Sequence, residues 1–155
     1  MNDRPLPTDR PVVRILLAED NDGDIFLVRR ALEKRGVPHQ LTVARNGEEA
    51  LELLDRAEKS PSSEAPKLIL LDLNLPKIDG AQVLSRIRKT NAFSATPVIV
   101  LTSSDSPKDR ESALALGANA YFRKPTDLQS FMHLGEVVEK VLQHRPPSVS
   151  SEPRL

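Results

Sequence analysis

Five residues at four places in this chain carry side chains that could act together on a phosphoryl group. Glu19 and Asp20 follow one short apolar run, Asp72 a second, Thr102 a third and Lys124 a fourth. Carboxylates gathered at one point repel and raise one another's pKa. An oxygen-seeking divalent cation relieves that repulsion. Mg2+ is the expected ion, held by one or two carboxylates, retained waters and a phosphate oxygen. Lys124 adds a second positive charge, and Thr102 adds a short hydrogen-bond donor. Asp72, between a buried run and a turn, is the natural nucleophile.

The elements that must position these residues are legible in the apolar pattern. Short runs at 12–18, 40–44, 68–71, 98–101 and 120–122 read as strands. Three of them are nearly continuous Val, Ile and Leu, as in parallel strands covered on both faces. Between and after them, helices are expected at about 24–35, 47–58, 80–90, 107–116 and 127–143. Gly36 and Gly117 stand where helices end, and Ser106 before Pro107 and Asp127 stand where helices start. Strands alternating with helices give a (βα)5 chain, an α/β doubly wound parallel sheet of five strands. In such sheets the site lies beyond the carboxyl ends of the strands, where the five residues fall. The stretch 56–67, rich in Ser, Pro and Glu, reads as a surface loop.

With 155 residues, the chain has the length of one domain. Absence of Cys excludes a disulfide framework, a thiolate metal site and a cysteine nucleophile. Lys+Arg and Asp+Glu both number 22, which argues against a nucleic-acid binder. No apolar run reaches the roughly 20 residues of a membrane span, and no signal peptide is legible at the start. A cytoplasmic location is the default expectation. Residues 1–11 and 145–155 are polar and proline-bearing and are expected to be mobile tails around a domain at 12–144. His39, His133 and His144 are scattered and are taken as surface residues. So are Asp22, Asp24 and Asp79, with Asp24 a candidate cap for the first helix.

Taken in order, Glu19-Asp20, Asp72 with Pro76 four residues on, Thr102-Ser103 and Lys124-Pro125 resemble the receiver domain of bacterial response regulators over about 14–142. The resemblance implies a flavodoxin-like sheet of strand order 2-1-3-4-5. It implies that Asp72 accepts a phosphoryl group from a histidine kinase. By the same likeness Asp20 holds Mg2+ directly, Glu19 holds it through water, and Asn74 offers a main-chain carbonyl. Thr102 and Lys124 then bind phosphoryl oxygens, Tyr121 is an aromatic switch, and the Lys124–Pro125 bond is cis. The surface of the fourth helix, fifth strand and last helix would report the state. Glu19 departs from the Asp common at its position. The 56–67 loop, the 91–97 loop and the stretch 127–131 further resemble stand-alone regulators paired with phytochrome-type kinases.

Two other functions share parts of this pattern. An aspartyl-nucleophile phosphatase would carry Asp-x-Asp, but Asn74 stands at the second position. A receiver-shaped adaptor would not need every site position filled. No DNA-binding helix pair follows His144, so output is expected through a partner, a phosphorelay step or dimerisation. In the last helix Leu128, Phe131, Met132, Gly135, Val138 and Leu142 form the expected core stripe at 100° per residue. Leu134, Val137 and Val141 form a second stripe, expected to be a homodimer interface.

Overall fold

A computed structural model describes residues 11–61 and 64–143. The chain runs β1 (Val13–Ala18), α1 (Asp22–Arg35), β2 (His39–Ala44), α2 (Gly47–Glu58), β3 (Leu68–Asp72), α3 (Gly80–Lys89), a 3-10 turn (Asn91–Phe93), β4 (Val98–Thr102), α4 (Pro107–Ala115), β5 (Ala120–Arg123), α5 (Leu128–Phe131) and α6 (His133–Gln143). The five strands form one parallel sheet in the order β2-β1-β3-β4-β5. Residues 1–10 and 145–155 of the expected tails, and His144, lie outside the described residues. Among the described residues, no helix is long and apolar enough to cross a membrane.

Alternation along the strands divides the core into two layers. Ile15, Leu17, Leu68, Leu70, Ile99 and Leu101 face α1, α5 and α6, where Val28, Leu32, Phe131 and Leu134 meet them. Leu16, Ile69, Leu71, Val98 and Val100 face the other way, onto Ala50 and Leu54 of α2, Leu84 and Ile87 of α3, and Phe93. β3 and β4 are buried at every position, which is why neither shows polar alternation. The chain lays β2 on one side of β1 and β3 on the other. This topological switch opens a crevice at the strands' carboxyl ends.

Local chemistry sets the helix ends. Asn21, Asn46, Asp79, Ser106 and Asp127 each accept a backbone N–H from the first turn of their helix. α1 stops at Gly36 in the left-handed conformation, φ 77°. Asn21, rather than Asp24, caps α1. Arg88 stitches the lower edge together. Its guanidinium donates to the carbonyls of Gly117, Phe93, Ser94 and Thr96 and to Asn119 Oδ1.

The last helix departs from the expected pattern in two ways. It breaks at Met132 into α5 and α6, and Leu128, expected in the core, is exposed. Leu134, expected on an outer stripe, is fully buried. Leu134 lies three residues after Phe131 and four before Val138, so it belongs to their stripe. Gly135 then draws α6 onto α1, since a Cβ there would lie 2.6 Å from the Ala31 carbonyl oxygen. Val137 and Val141 are half-buried and pack against the same core.

The cis bond expected at Lys124–Pro125 is also absent, because every peptide bond among the described residues is trans. The reach of the lysine side chain and its backbone bond to Thr102 aim it without one.

Candidate functional site

The carboxyl ends of β1, β3 and β5 bring the site residues together. Register aligns Ala18 with Leu71 and Asp72 with Leu101, so Glu19, Asp20 and Asp72 emerge side by side. One carboxylate oxygen from each lies within 4.8 Å of the others. Lys124 enters from the far side of the sheet. Its backbone N–H donates to the Thr102 carbonyl at 2.7 Å, which fixes where the side chain starts. The ammonium then donates to Glu19 Oε1 at 2.7 Å, Asp24 Oδ2 at 2.8 Å and Asp72 Oδ2 at 3.3 Å.

Burial governs the electrostatics. Glu19 is fully buried, and desolvation pushes its carboxyl up to about 7. Hydrogen bonding and charge from Lys124 oppose that rise, while the Asp72 carboxylate adds to it. Burial also works against the Lys124 ammonium. Its hydrogen bonds to Asp24 and Glu19 outweigh the penalty and hold its pKa above the ordinary lysine value. Asp20 is exposed at the mouth of the crevice, and Asp72 is buried below it. The donors are all hard oxygens, and one of them tolerates charge poorly without a cation. That donor set fits Mg2+ or a similar ion.

The remaining predicted residues border this cluster. The Asn74 N–H donates to Asp72 Oδ1 at 3.0 Å, holding the carboxylate against the loop after β3. Thr102 is fully buried at the end of β4, and its Oγ1 accepts the Ser104 N–H at 3.2 Å. Tyr121, half-buried on β5, donates its hydroxyl to the Ser104 carbonyl at 3.1 Å, with the Arg110 guanidinium over its ring. Thr102 and Tyr121 thus meet through one backbone residue.

Two contributors escape sequence reasoning. Asp24, expected to be solvated, is half-buried against Lys124. No local signal marks it, because its partner Lys124 lies 100 residues away. Gly47 is the second. A Cβ there would overlap the Ile78 carbonyl, and the Gly47 N–H donates to the Pro76 carbonyl at 3.1 Å. The start of α2 thereby pins the loop that follows Asp72. Asp22 pairs with Arg45 instead, and Asp79 caps α3. His39 is half-buried beside the Val37 carbonyl, and His133 is exposed beside Glu136.

A cavity of about 200 Å³ between β1, β2 and α2 is lined by Arg14, Gln40, Thr42 and Leu53 and shares no residue with this cluster.

The family model of the response regulator receiver domain matches residues 15–135, from within β1 to the first turn of α6. The chain belongs to this family. Receiver domains are signalling modules that work with histidine kinases and bind Mg2+ or Mn2+ at an acidic site. The receiver described here is 38% identical over 130 residues to the probable methanogenesis regulatory protein FilR2 of Methanothrix harundinacea, covering 84% of this chain and 81% of that one. It is 36% identical over 125 residues to the response regulator Rcp1 of Synechocystis, covering 81% of this chain and 85% of that one. The crystal structure of the phosphorylated cyanobacterial phytochrome response regulator RcpA superposes with a TM-score of 0.77 at 35% identity, covering 89% of this chain and 100% of that one.

Proposed function

We propose that this receiver is a phospho-aspartate switch whose acceptor is Asp72. The observation that carries the reading is the Lys124 ammonium, 3.3 Å from Asp72 Oδ2 in a cluster shared with Glu19 and Asp20. A sensor histidine kinase supplies the phosphoryl group as phosphohistidine. A carboxylate oxygen of Asp72 attacks phosphorus, the P–N bond breaks, and the imidazole nitrogen keeps the electron pair and takes up a proton. Asp20 and Asp72 would hold Mg2+ directly, Glu19 through water, and Asn74 by its main-chain carbonyl. When bound, Mg2+ neutralises charge on the phosphoryl oxygens. Lys124 balances the remaining charge on the transferred group, and Thr102 donates its hydroxyl to it.

Output follows from a turn of Thr102 that carries its Oγ1 away from the Ser104 N–H. Its Oγ1 accepts from the Ser104 N–H, and the Ser104 carbonyl accepts from Tyr121. Turning Thr102 toward the phosphoryl group loosens this loop, frees Tyr121 and alters the surface of α4, β5 and α6. The likeness to Rcp1 and RcpA supports a phytochrome-type kinase as partner. Modification is stoichiometric rather than a turnover reaction, in the cytoplasm and without direct nucleic-acid contact. Self-association, with Leu134 removed from the expected face, would rest on Val137 and Val141. Val137→Glu should lower the sedimentation mass, and an unchanged mass would end that part of the reading.

Intact mass after incubation with Mg2+ and acetyl phosphate tests the central claim. Wild type should gain one phosphoryl group, and Asp72→Asn or omission of Mg2+ should abolish the gain. An adduct that survives in Asp72→Asn would show the acceptor to be misassigned. Continuous phosphate release would favour an enzyme.

A further inference from the structure

We propose that Asp24 is a positioning residue that competes with the phosphoryl group for Lys124. The inference rests on the phospho-aspartate reading and adds a residue and a direction of control to it.

An ammonium has three N–H donors. In this structure Glu19, Asp24 and Asp72 occupy all three. The bond to Asp24, 2.8 Å, is close to the 2.7 Å bond to the buried Glu19 and half an ångström shorter than the bond to Asp72. A phosphoryl oxygen can therefore gain an N–H from Lys124 only when one carboxylate lets go. The three are not equally able to do so. Glu19 is fully buried, and releasing it would leave a desolvated carboxylate with only the Asn21 N–H as donor. Asp72 Oδ2 holds the longest of the three bonds, and its N–H passes to the phosphoryl group on the same side chain, so the ammonium must move away from Asp24 to shorten that contact. Asp24 has 26% of its side chain in water, so the solvent can take over its lost bond.

The backbone favours the same exchange. Asp24 lies in the first turn of α1, where the helix dipole stabilises a free carboxylate. The Asn21 side chain caps the helix and accepts the Asp24 N–H at 2.8 Å, so releasing Lys124 need not unwind the turn. Asp24 is also absent from the trio of acids placed to hold a cation. Its carboxylate serves the lysine. It draws Lys124 toward α1 while Asp72 is free and opposes the shift of the ammonium toward a phosphoryl group on Asp72.

Removing the competing charge should strengthen the hold of Lys124 on a phosphoryl-like group. The probe is beryllium fluoride with Mg2+, whose trigonal fluoride complex takes an aspartate oxygen as its fourth ligand. Binding is followed by calorimetry and by fluorine NMR. Asp24→Asn should bind it roughly fivefold more tightly, less than a full charge-assisted hydrogen bond because Asp24 is partly in water. Asp24→Glu should restore the wild-type affinity. Asp22→Asn removes a neighbouring charge that pairs with Arg45 and not with Lys124, and it should leave affinity unchanged. Equal or weaker binding by Asp24→Asn overturns the inference. An equal gain in Asp22→Asn overturns it too, because the effect would then be a general field. A wild type that binds no beryllium fluoride would bring down the phospho-aspartate reading itself, and this inference with it.

Discussion

Glu19→Gln should gain stability relative to wild type, in the metal-free protein, as pH rises from 5 to 8. The carboxyl of Glu19 stands at about 7 in the folded state, against 4.5 when the chain is unfolded and the group is in water. Because the folded pKa is raised, the folded state binds the extra proton. The stability this confers is present in full below pH 4.5 and is lost as pH rises through about 7. A shift from 4.5 to about 7, at 1.36 kcal/mol per pH unit, amounts to about 3 kcal/mol. Glutamine has the shape of the protonated acid and no charge to desolvate. It keeps one oxygen for Lys124 and loses the bond from the Asn21 N–H, which reaches Glu19 Oε2 at 3.1 Å. Urea unfolding in EDTA at pH 5, 6, 7 and 8 measures the difference between wild type and variant. The variant should gain on wild type by up to about 3 kcal/mol across that range. Excess Mg2+ at pH 8 should narrow the gap, since a cation that binds only the folded protein stabilises it by mass action. A difference that stays flat with pH would refute the claim that desolvation dominates Glu19.

Three further substitutions test the frame around the site. Arg88→Met should cost about 2–4 kcal/mol in urea unfolding, because it leaves the carbonyls of Gly117 and Thr96 without their donor. Gly135→Ala should cost about 1–3 kcal/mol, since its Cβ would meet the Ala31 carbonyl oxygen at 2.6 Å and Arg35 Cβ at 2.8 Å. Unchanged stability there would mean that α6 can slide away from α1. Lys77 stands in the left-handed region at φ 72°, so Lys77→Asn should raise the melting temperature by a few degrees, about 0.5–1 kcal/mol.

Much of this architecture is legible in the sequence because the buried strands leave little choice. The runs at 68–72 and 98–102 cannot be exposed, and each ends in a polar residue at the same edge. Apolar patterning alone therefore puts Asp72 and Thr102 at the carboxyl edge of the sheet. Ser106-Pro107 and Gly36 mark their helix ends by backbone chemistry alone. In the last helix the spacing of Leu134 to Phe131 and Val138 already marks it as core, whereas the close approach of Gly135 to Ala31 is a tertiary event that no local pattern gives. Asp24 escapes for a related reason. Its partner lies 100 residues away, and no local rule brings it to Lys124. The trans Lys124–Pro125 bond corrects an expectation that came from likeness rather than from any residue pattern.

The charge balance of the crevice links these observations. Among the described residues, the ammonium of Lys124 meets three carboxylates, Glu19, Asp24 and Asp72, and a fourth, Asp20, gathers with Glu19 and Asp72. The strand beneath them offers no countercharge, since every other β3 position is a buried Leu or Ile. Such a site can be neutralised in only a few ways. A proton can sit on Glu19, a divalent cation can sit among Glu19, Asp20 and Asp72, or both carboxylates and ammonium can rearrange around a new anion. The first two compete for the same oxygens, so cation binding should release a proton below about pH 7. The third needs Lys124 to change partners, and of its three carboxylates only Asp24 can turn to water. The buried sheet therefore does more than place the acids. By refusing them any fixed countercharge of its own, it makes their occupancy by proton, cation or phosphoryl group decide how Lys124 and Thr102 are held.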